Sequence, residues 1–157
     1  MAASEASSVG FWFLAAFLAV SVLLMAVGQT TAVFDYDLAV RVGLQEATEE
    51  VGEFGVQINR AFGASDTAVY IPLMVVSLVG LWDRRFWSLI TTAAVAGISV
   101  YWSVTMGFVL TFAPGVPGYT LEPGLEYALF LGAYAAFGIW CIGYLCIRGD
   151  AVLRRSH

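Results

Sequence analysis

The stretch TAVYIPLMVVSLVGLWDRRFWSLITTAAVAGISVYWSVTMGFVLTF, residues 67–112, contains two apolar runs joined by Asp83, Arg84 and Arg85. The runs cover residues 67–82 and 86–112, and neither contains a charged residue. A helix needs roughly 20 mainly apolar residues to cross the hydrocarbon core of a bilayer, so the second run is long enough and the first is slightly short. The stretch therefore predicts a hairpin of two membrane-spanning helices with a charged tip.

The composition of the whole chain agrees with this prediction. Its 157 residues are 60% hydrophobic and 12% charged, whereas soluble domains are about 45–50% apolar and about 25% charged. Two further apolar runs cover residues 10–29 and 125–147. Continuous apolar runs are typical of helices, since the strands of a membrane barrel alternate apolar and polar residues. We predict an all-α integral membrane protein, a single domain over residues 1–157 with a four-transmembrane-helix bundle.

The first apolar run has a second interpretation as a cleaved signal peptide. Ala26 and Gly28 flank Val27 in the small-x-small pattern of a cleavage site. Residues 1–8 carry no positive charge, however, and a secretory leader normally does. We favour a retained helix, and cleavage would leave the three remaining spans with the same orientation.

Arginine placement predicts the orientation in the membrane. Arg84 and Arg85 separate the second and third spans, and Arg148, Arg154 and Arg155 follow the fourth. With four spans both regions lie on one side, which the positive-inside rule makes cytoplasmic, together with both termini. Most acids map to the opposite side: Asp35, Asp37, Glu46, Glu49, Glu50, Glu53, Asp66, Glu122 and Glu126. We expect a multi-pass protein of a prokaryotic plasma membrane with an anionic outer face.

Several function classes lack the residues that they need. All seven basic residues are arginine and the net charge is -5, which argues against nucleic acid as a partner because phosphates require a basic surface. The sole histidine is His157, and Cys141 and Cys146 lie five residues apart without a CxxC pairing. The sequence therefore predicts no metal site and no cofactor.

The link between the first two spans has the pattern of an amphipathic helix. Val40, Leu44, Val51 and other apolar residues recur at three- and four-residue steps over residues 36–58, with glutamates on the other side. We predict one outer amphipathic helix over this segment, weakened by its three glycines. Because its polar face is acidic, we expect it to dock on its own spans or on a protein partner.

Carboxylates and aromatic residues recur near the predicted outer ends of the spans. Asp66 and Tyr70 are one helical turn apart, and Pro72 is expected to leave the Ala68 carbonyl unpaired and to kink the chain. Ser65 or Asp66 can instead cap a helix start, and Tyr and Trp gather at membrane interfaces without binding a ligand. The candidates for an outward-facing ligand pocket are Asp66, Tyr70, Tyr101, Trp102, Glu126 and Tyr127.

Helix-packing patterns predict which faces of the fourth span lie inside the bundle. Small residues at four-residue spacing, Ala128, Gly132 and Ala136, form one predicted contact face. Tyr127, Tyr134 and Cys141, spaced by seven, mark another. We expect both faces to contact neighbouring helices.

Two functional hypotheses from different classes fit these patterns. The favoured one is a non-catalytic membrane protein, either an accessory subunit with a membrane-protein partner or a binder of a lipophilic small molecule. The alternative is a small membrane enzyme that acts on a lipid or isoprenoid, with Glu126 or Asp66 as acid or base and Trp102 or Tyr101 stabilising a developing cation.

Overall fold

The computed structural model describes the backbone of residues 2–153 and the side chains of residues 9–150, 152 and 153. Arg154, Arg155 and His157, which entered the predictions above, lie outside the described residues. Across residues 2–153 the chain is helical, with no strand. The elements are α1 Ala2–Phe34, α2 Tyr36–Arg41, α3 Thr48–Ser65, a π-helical turn Asp66–Tyr70, α4 Ile71–Trp82, α5 Trp87–Phe112 and α6 Leu125–Leu153.

Four helical segments in the described part are long and apolar enough to cross a membrane: Val9–Phe34, Thr48–Trp82, Trp87–Phe112 and Leu125–Asp150. The all-helical prediction with four such helices is confirmed. The second segment is much longer than the predicted residues 67–82, because α3, the π-helical turn and α4 follow one another directly over 35 residues, with a kink at Gly52 near the start.

The predicted single helix over residues 36–58 is wrong. The chain forms the short helix α2, a turn over residues 42–47, and then α3, which continues into the second long segment. Gly43 has φ 73°, a left-handed conformation that an α-helix does not allow. Gly52 has φ 70° inside α3, and a Cβ there would lie 3.0 Å from the Gly118 carbonyl oxygen. The glycines therefore break the segment as well as weaken it.

The π-helical turn accommodates Pro72. The Ile71 N–H donates to the Asp66 carbonyl, five residues earlier, instead of the four of an α-helix. Pro72 follows in the first turn of α4, where a missing N–H is best tolerated. The helix therefore continues through Pro72, and Asp66 lies inside it. Neither Ser65 nor Asp66 acts as a cap, because the helix has begun at Thr48.

The long helices form a bundle in which α1 and α5 each pack against both α4 and α6. On α6 the buried face contains Tyr134, Phe137 and Cys141. Close approach to α5 occurs at Gly138, where a Cβ would lie 2.6 Å from the Ala96 carbonyl oxygen. The buried core residues are Phe11, Leu14, Leu18, Met25, Tyr70, Met74, Leu81, Val95, Ala96, Tyr134, Phe137, Cys141 and Val152.

The predicted small-residue contact face of α6 is wrong. Ala128, Gly132 and Ala136 are exposed, and a Cβ at Gly132 would meet nothing within 4 Å. The face marked by Tyr134 and Cys141 packs instead, because the side chains of this face fill the space between α6 and the neighbouring helices.

Arg84 lies at the same end of the bundle as the end of α6. Its guanidinium donates a hydrogen bond to the Val152 carbonyl oxygen and lies 3.6 Å from the centroid of the Phe11 ring. A cation is favourable there because the last carbonyls of a helix are unpaired and carry partial negative charge. The tip of the α4–α5 hairpin, the start of α1 and the end of α6 therefore share one end, and the turn after α2 shares the other end with the start of α6.

Candidate functional site

A cleft of about 520 Å³ opens at the end of the bundle that contains the turn after α2. Helices α1, α3, α5 and α6 and the turn over residues 42–47 supply its walls. Its apolar lining is Leu24, Met25, Gly28, Gly43, Leu44, Phe62, Trp102, Met106, Leu110, Phe130 and Leu131. Its polar lining is Gln29, Gln45, Glu46, Asn59, Glu126 and Tyr127. A mainly apolar cleft with few polar groups is typical of a site for a small lipophilic ligand.

Glu46 is the centre of a hydrogen-bond network at this cleft. Its Oε1 accepts from the Tyr127 hydroxyl at 3.0 Å, and its Oε2 accepts from Asn59 Nδ2 at 2.8 Å. Its carbonyl oxygen accepts from the Tyr36 hydroxyl at 3.0 Å, and Asn59 Nδ2 also donates to the Tyr36 hydroxyl oxygen at 3.0 Å. The network joins α2, the following turn, α3 and α6, so it holds the turn against the cleft.

The connection between α5 and α6 is held to the start of α3. The Glu50 carbonyl oxygen accepts from the Thr120 N–H at 2.7 Å and from the Leu121 N–H at 3.1 Å. The Thr120 hydroxyl donates to the Glu49 carbonyl oxygen at 3.0 Å. Glu50 Oε2 accepts from the Ala47 N–H at 2.9 Å and so closes the first turn of α3. The polar end of the bundle is therefore an ordered layer over the helices.

Two tyrosines of this layer, Tyr36 and Tyr119, lie outside the long apolar segments. Burial and nearby carboxylates shift the pKa values of both. Burial raises the pKa of Tyr36, the Asn59 hydrogen bond opposes this, and the Glu46 and Glu50 charges add to the rise. Burial and the Glu46 charge also raise the pKa of Tyr119. Both phenols therefore keep their protons at neutral pH and act as neutral groups.

A second cavity lies deeper in the bundle and has a volume of only about 10 Å³. Asp66, Tyr70, Ser99 and Tyr134 supply its polar lining, and Met25, Ile98 and Trp102 supply the rest. The Tyr70 and Ser99 hydroxyls are hydrogen-bonded at 2.6 Å, and the Tyr134 hydroxyl donates to Ser21 Oγ at 3.1 Å. We call this cavity the inner void.

Asp66 is the one carboxylate among the residues that line the inner void. It is only 8% exposed, and none of the described residues donates a hydrogen bond to its carboxylate or forms an ion pair with it. An unpaired buried carboxylate is costly, and in an apolar bundle it marks a functional site more often than a structural one.

The structure divides the six predicted site residues among three places. Trp102 lines both cavities, Glu126 and Tyr127 line the cleft, and Asp66 and Tyr70 line the inner void. Tyr101 lies on the outer surface of α5, 73% exposed, and lines neither cavity. It is one residue from Trp102 and therefore points about 100° away from it on the helix.

Several site residues were not predicted. Glu46 and Asn59 lie 13 residues apart, in a part of the chain that looks like an ordinary solvated surface. Tyr134 carried a signal, since it repeats Tyr127 at a seven-residue spacing, but that pattern indicated packing. Ser99 lies one helical turn before Ser103, a spacing that indicates a polar face of the third span, whereas nothing in the apolar neighbourhood of Met25 distinguishes it.

Within the described residues, no group of three or more His, Cys, Asp or Glu side chains is placed to hold a metal ion. Comparison with known proteins finds no match: no protein-family model, no curated protein and no solved structure is similar to this chain.

Proposed function

We propose that this chain is a non-catalytic, multi-pass membrane protein that binds a lipophilic small molecule near the outer face of the plasma membrane. The observation that carries the proposal is the cleft of about 520 Å³, which lies between all four long helical segments and is lined mostly by apolar and aromatic side chains. This volume is in the range of sites that hold drug-sized or short lipid-like molecules.

Membrane insertion is supported by the side chains on the outside of the bundle. Large apolar residues are exposed along all four long segments, among them Leu23, Val79, Ile90 and Ile139. A soluble monomer rarely exposes apolar patches of this extent. In a bilayer the same side chains contact lipid tails.

The charges at the two ends support the proposed orientation. Arg84 and Arg85 lie at the end shared with the start of α1 and the end of α6, and the positive-inside rule assigns this end to the cytoplasm. The cleft then faces the outer leaflet. A membrane-protein partner would be expected to dock at the acidic outer layer, as an accessory-subunit role requires.

A pair of glycine substitutions tests the binding proposal. Gly28 lines the cleft and a Cβ there would meet nothing within 4 Å, so the side chain of Gly28→Leu starts in open space and occupies part of the cleft. Gly97 is exposed on α5, outside the cleft, with equally open space, so Gly97→Leu is the matched control. Native mass spectrometry of gently extracted protein should show a lipophilic molecule retained by wild type and Gly97→Leu and lost from Gly28→Leu. Equal retention by all three, or none in wild type, would contradict the proposal.

The alternative function, a small membrane enzyme for a lipid or isoprenoid, is favoured by one observation. Asp66 is buried without a partner and lines the same void as Trp102. In an enzyme, Asp66 would act as the acid or base, and the Trp102 ring would stabilise a developing cation. Under this alternative, Asp66→Asn and Glu126→Gln should fold normally and abolish the conversion of a retained lipid. Full conversion by both variants would exclude it.

A further inference from the structure

The inner void is built around an unpaired carboxylate with neutral oxygen groups beside it. Asp66 is more than nine-tenths buried and has no hydrogen-bond donor among the described residues. The hydroxyls of Tyr70 and Tyr134 line the same void, and each is held by a serine, Ser99 and Ser21 respectively. The void therefore contains a carboxylate and fixed oxygen acceptors. A cation that donates hydrogen bonds would complement all of them.

The size of the void limits which cation can enter it. A volume of about 10 Å³ is close to the smallest that holds one water molecule. A primary ammonium group, –NH₃⁺, has about that size and carries three N–H donors. It can donate to Asp66 and to the oxygens of Tyr70 and Tyr134, with the Trp102 ring as an additional π partner. A quaternary ammonium is larger and has no N–H donor.

The void adjoins the proposed ligand cleft. Met25 and Trp102 line both cavities and therefore form the wall between them. Methionine is unbranched and flexible, so the Met25 side chain is the part of this wall that can move aside most readily. A ligand lying in the cleft can thus place one end beyond this wall.

The charge of the cleft selects the same class of ligand. Its lining contains two carboxylates, Glu46 and Glu126, and no arginine. The neutral donors Tyr127 and Asn59 hydrogen-bond to Glu46 but do not neutralise its charge. An anionic amphiphile would be repelled by both groups, whereas a cationic one is attracted towards the cleft.

We propose that the ligand is a long-chain primary amine whose apolar chain occupies the cleft and whose ammonium group pairs with Asp66 in the inner void. This inference rests on the proposed binding function and names its ligand class. Asp66 supplies the counter-charge, the two tyrosines orient the ammonium, and the Met25–Trp102 wall separates the head group from the chain.

Three probes with the same chain test this class: dodecylamine, dodecanol and dodecyltrimethylammonium. At pH 7 an alkyl amine is protonated, as a lysine side chain is. Native mass spectrometry of titrated micelles gives the fraction of protein that carries each probe, and Gly28→Leu protein gives the background from non-specific adsorption. We expect dodecylamine to bind wild type at least about tenfold more tightly than either other probe.

Two isosteric acid-to-amide substitutions then test whether Asp66 causes the preference for dodecylamine. Asp66→Asn should remove the tenfold preference while dodecanol binding changes less than about twofold. Glu53→Gln removes the same charge from an exposed position of α3 outside both cavities, and it should keep the preference. Thermal unfolding of each variant confirms that it is folded.

The outcomes separate this inference from the function on which it rests. Equal binding of the three probes above background, or tighter binding of the quaternary probe, overturns the primary-amine assignment and leaves lipophilic binding intact. Retention of the preference by Asp66→Asn overturns the role of Asp66. Binding of none of the probes above the Gly28→Leu background overturns the inference, and if no native molecule is retained either, the proposed function fails with it. The wild-type comparison decides the ligand class even if Asp66→Asn does not fold.

Discussion

The Tyr127 hydroxyl donates a 3.0 Å hydrogen bond to Glu46 Oε1 and so ties the turn after α2 to the first turn of α6. The two residues are 81 positions apart in sequence. Both line the cleft, so the bond joins two of its walls. The other residues that hold this turn are Tyr36 and Asn59.

Tyr127→Phe should loosen the turn over residues 42–47. A hydrogen bond to a charged group is worth about 1.5–3 kcal/mol when buried, and this one is partly buried, so we expect a loss of about 1 kcal/mol and about fivefold faster amide exchange in the turn. Hydrogen–deuterium exchange measured by mass spectrometry checks this. Tyr101→Phe is the matched control, because Tyr101 is exposed and makes no hydrogen bond among the described residues. Equal exchange in the two variants would show that the bond does not hold the turn.

Alkaline pH should weaken the same layer through Tyr36. Burial is the main cause that raises the pKa of Tyr36 above 10.0 in the folded chain. Above pH 10 the unfolded chain therefore releases the Tyr36 proton while the folded chain still holds it. The contribution of the neutral Tyr36 phenol to stability is complete below pH 10 and falls as the pH rises through the folded pKa. Ionisation also removes the donor to the Glu46 carbonyl. Amide exchange in residues 42–47, corrected for the intrinsic base-catalysed rate, should accelerate above pH 10 in wild type and less in Tyr36→Phe, whose exchange is already raised at neutral pH. Identical corrected profiles would contradict this role.

Gly138→Ala should destabilise the bundle. The added Cβ would lie 2.6 Å from the Ala96 carbonyl oxygen, and since that atom is backbone, α5 and α6 must separate. Overpacking of this kind costs about 1–3 kcal/mol. Gly132→Ala makes the same chemical change on the same helix where nothing lies within 4 Å. Thermal unfolding in detergent should show a lower Tm for Gly138→Ala than for wild type, and an unchanged or higher Tm for Gly132→Ala. An equal change of Tm in the two variants would mean that α5 and α6 do not approach closely at Gly138.

Cysteine labelling tests the proposed topology. Asp83 and Asp150 lie at the arginine end, and Val116 lies in the connection between α5 and α6, all exposed. Single cysteines at these positions, in a Cys146→Ser background that keeps the buried Cys141, are treated with an impermeant maleimide in sealed vesicles. Asp83→Cys and Asp150→Cys should label from one side only, and Val116→Cys from the other. Labelling of Asp83→Cys and Asp150→Cys from opposite sides would refute a bundle with four spans.

The apolar runs could be recognised from sequence because hydrophobicity is a property of each residue and its near neighbours. Their boundaries were less certain. The segment before Asp66 contains glutamates and glycines, which suggested a separate surface helix, yet α3 continues into α4 without interruption. Continuation depends on the π-helical turn before Pro72, and this turn packs against α1, whose residues are distant in sequence.

The faces of α6 illustrate the same limit. Ala128, Gly132 and Ala136 have the spacing of a contact face, but they are exposed, while Tyr134 and Cys141 are buried. Spacing identifies residues that share a face, and it does not tell which face meets a neighbour. That choice depends on the shape of α5, which approaches α6 at Gly138.

The sequence by itself determined that the chain is helical, that four of its segments are long and apolar enough for a bilayer, and that its charges separate towards two ends. These follow from composition and local order, which each stretch carries alone. Only the tertiary structure decided that Glu46 meets Tyr127, that Tyr101 points away from the cavities, and that Asp66 lies unpaired beside Tyr134. Such contacts depend on how each helix is rotated about its axis and how far it is shifted along its neighbours. Both quantities are determined by contacts between side chains that are far apart in the chain.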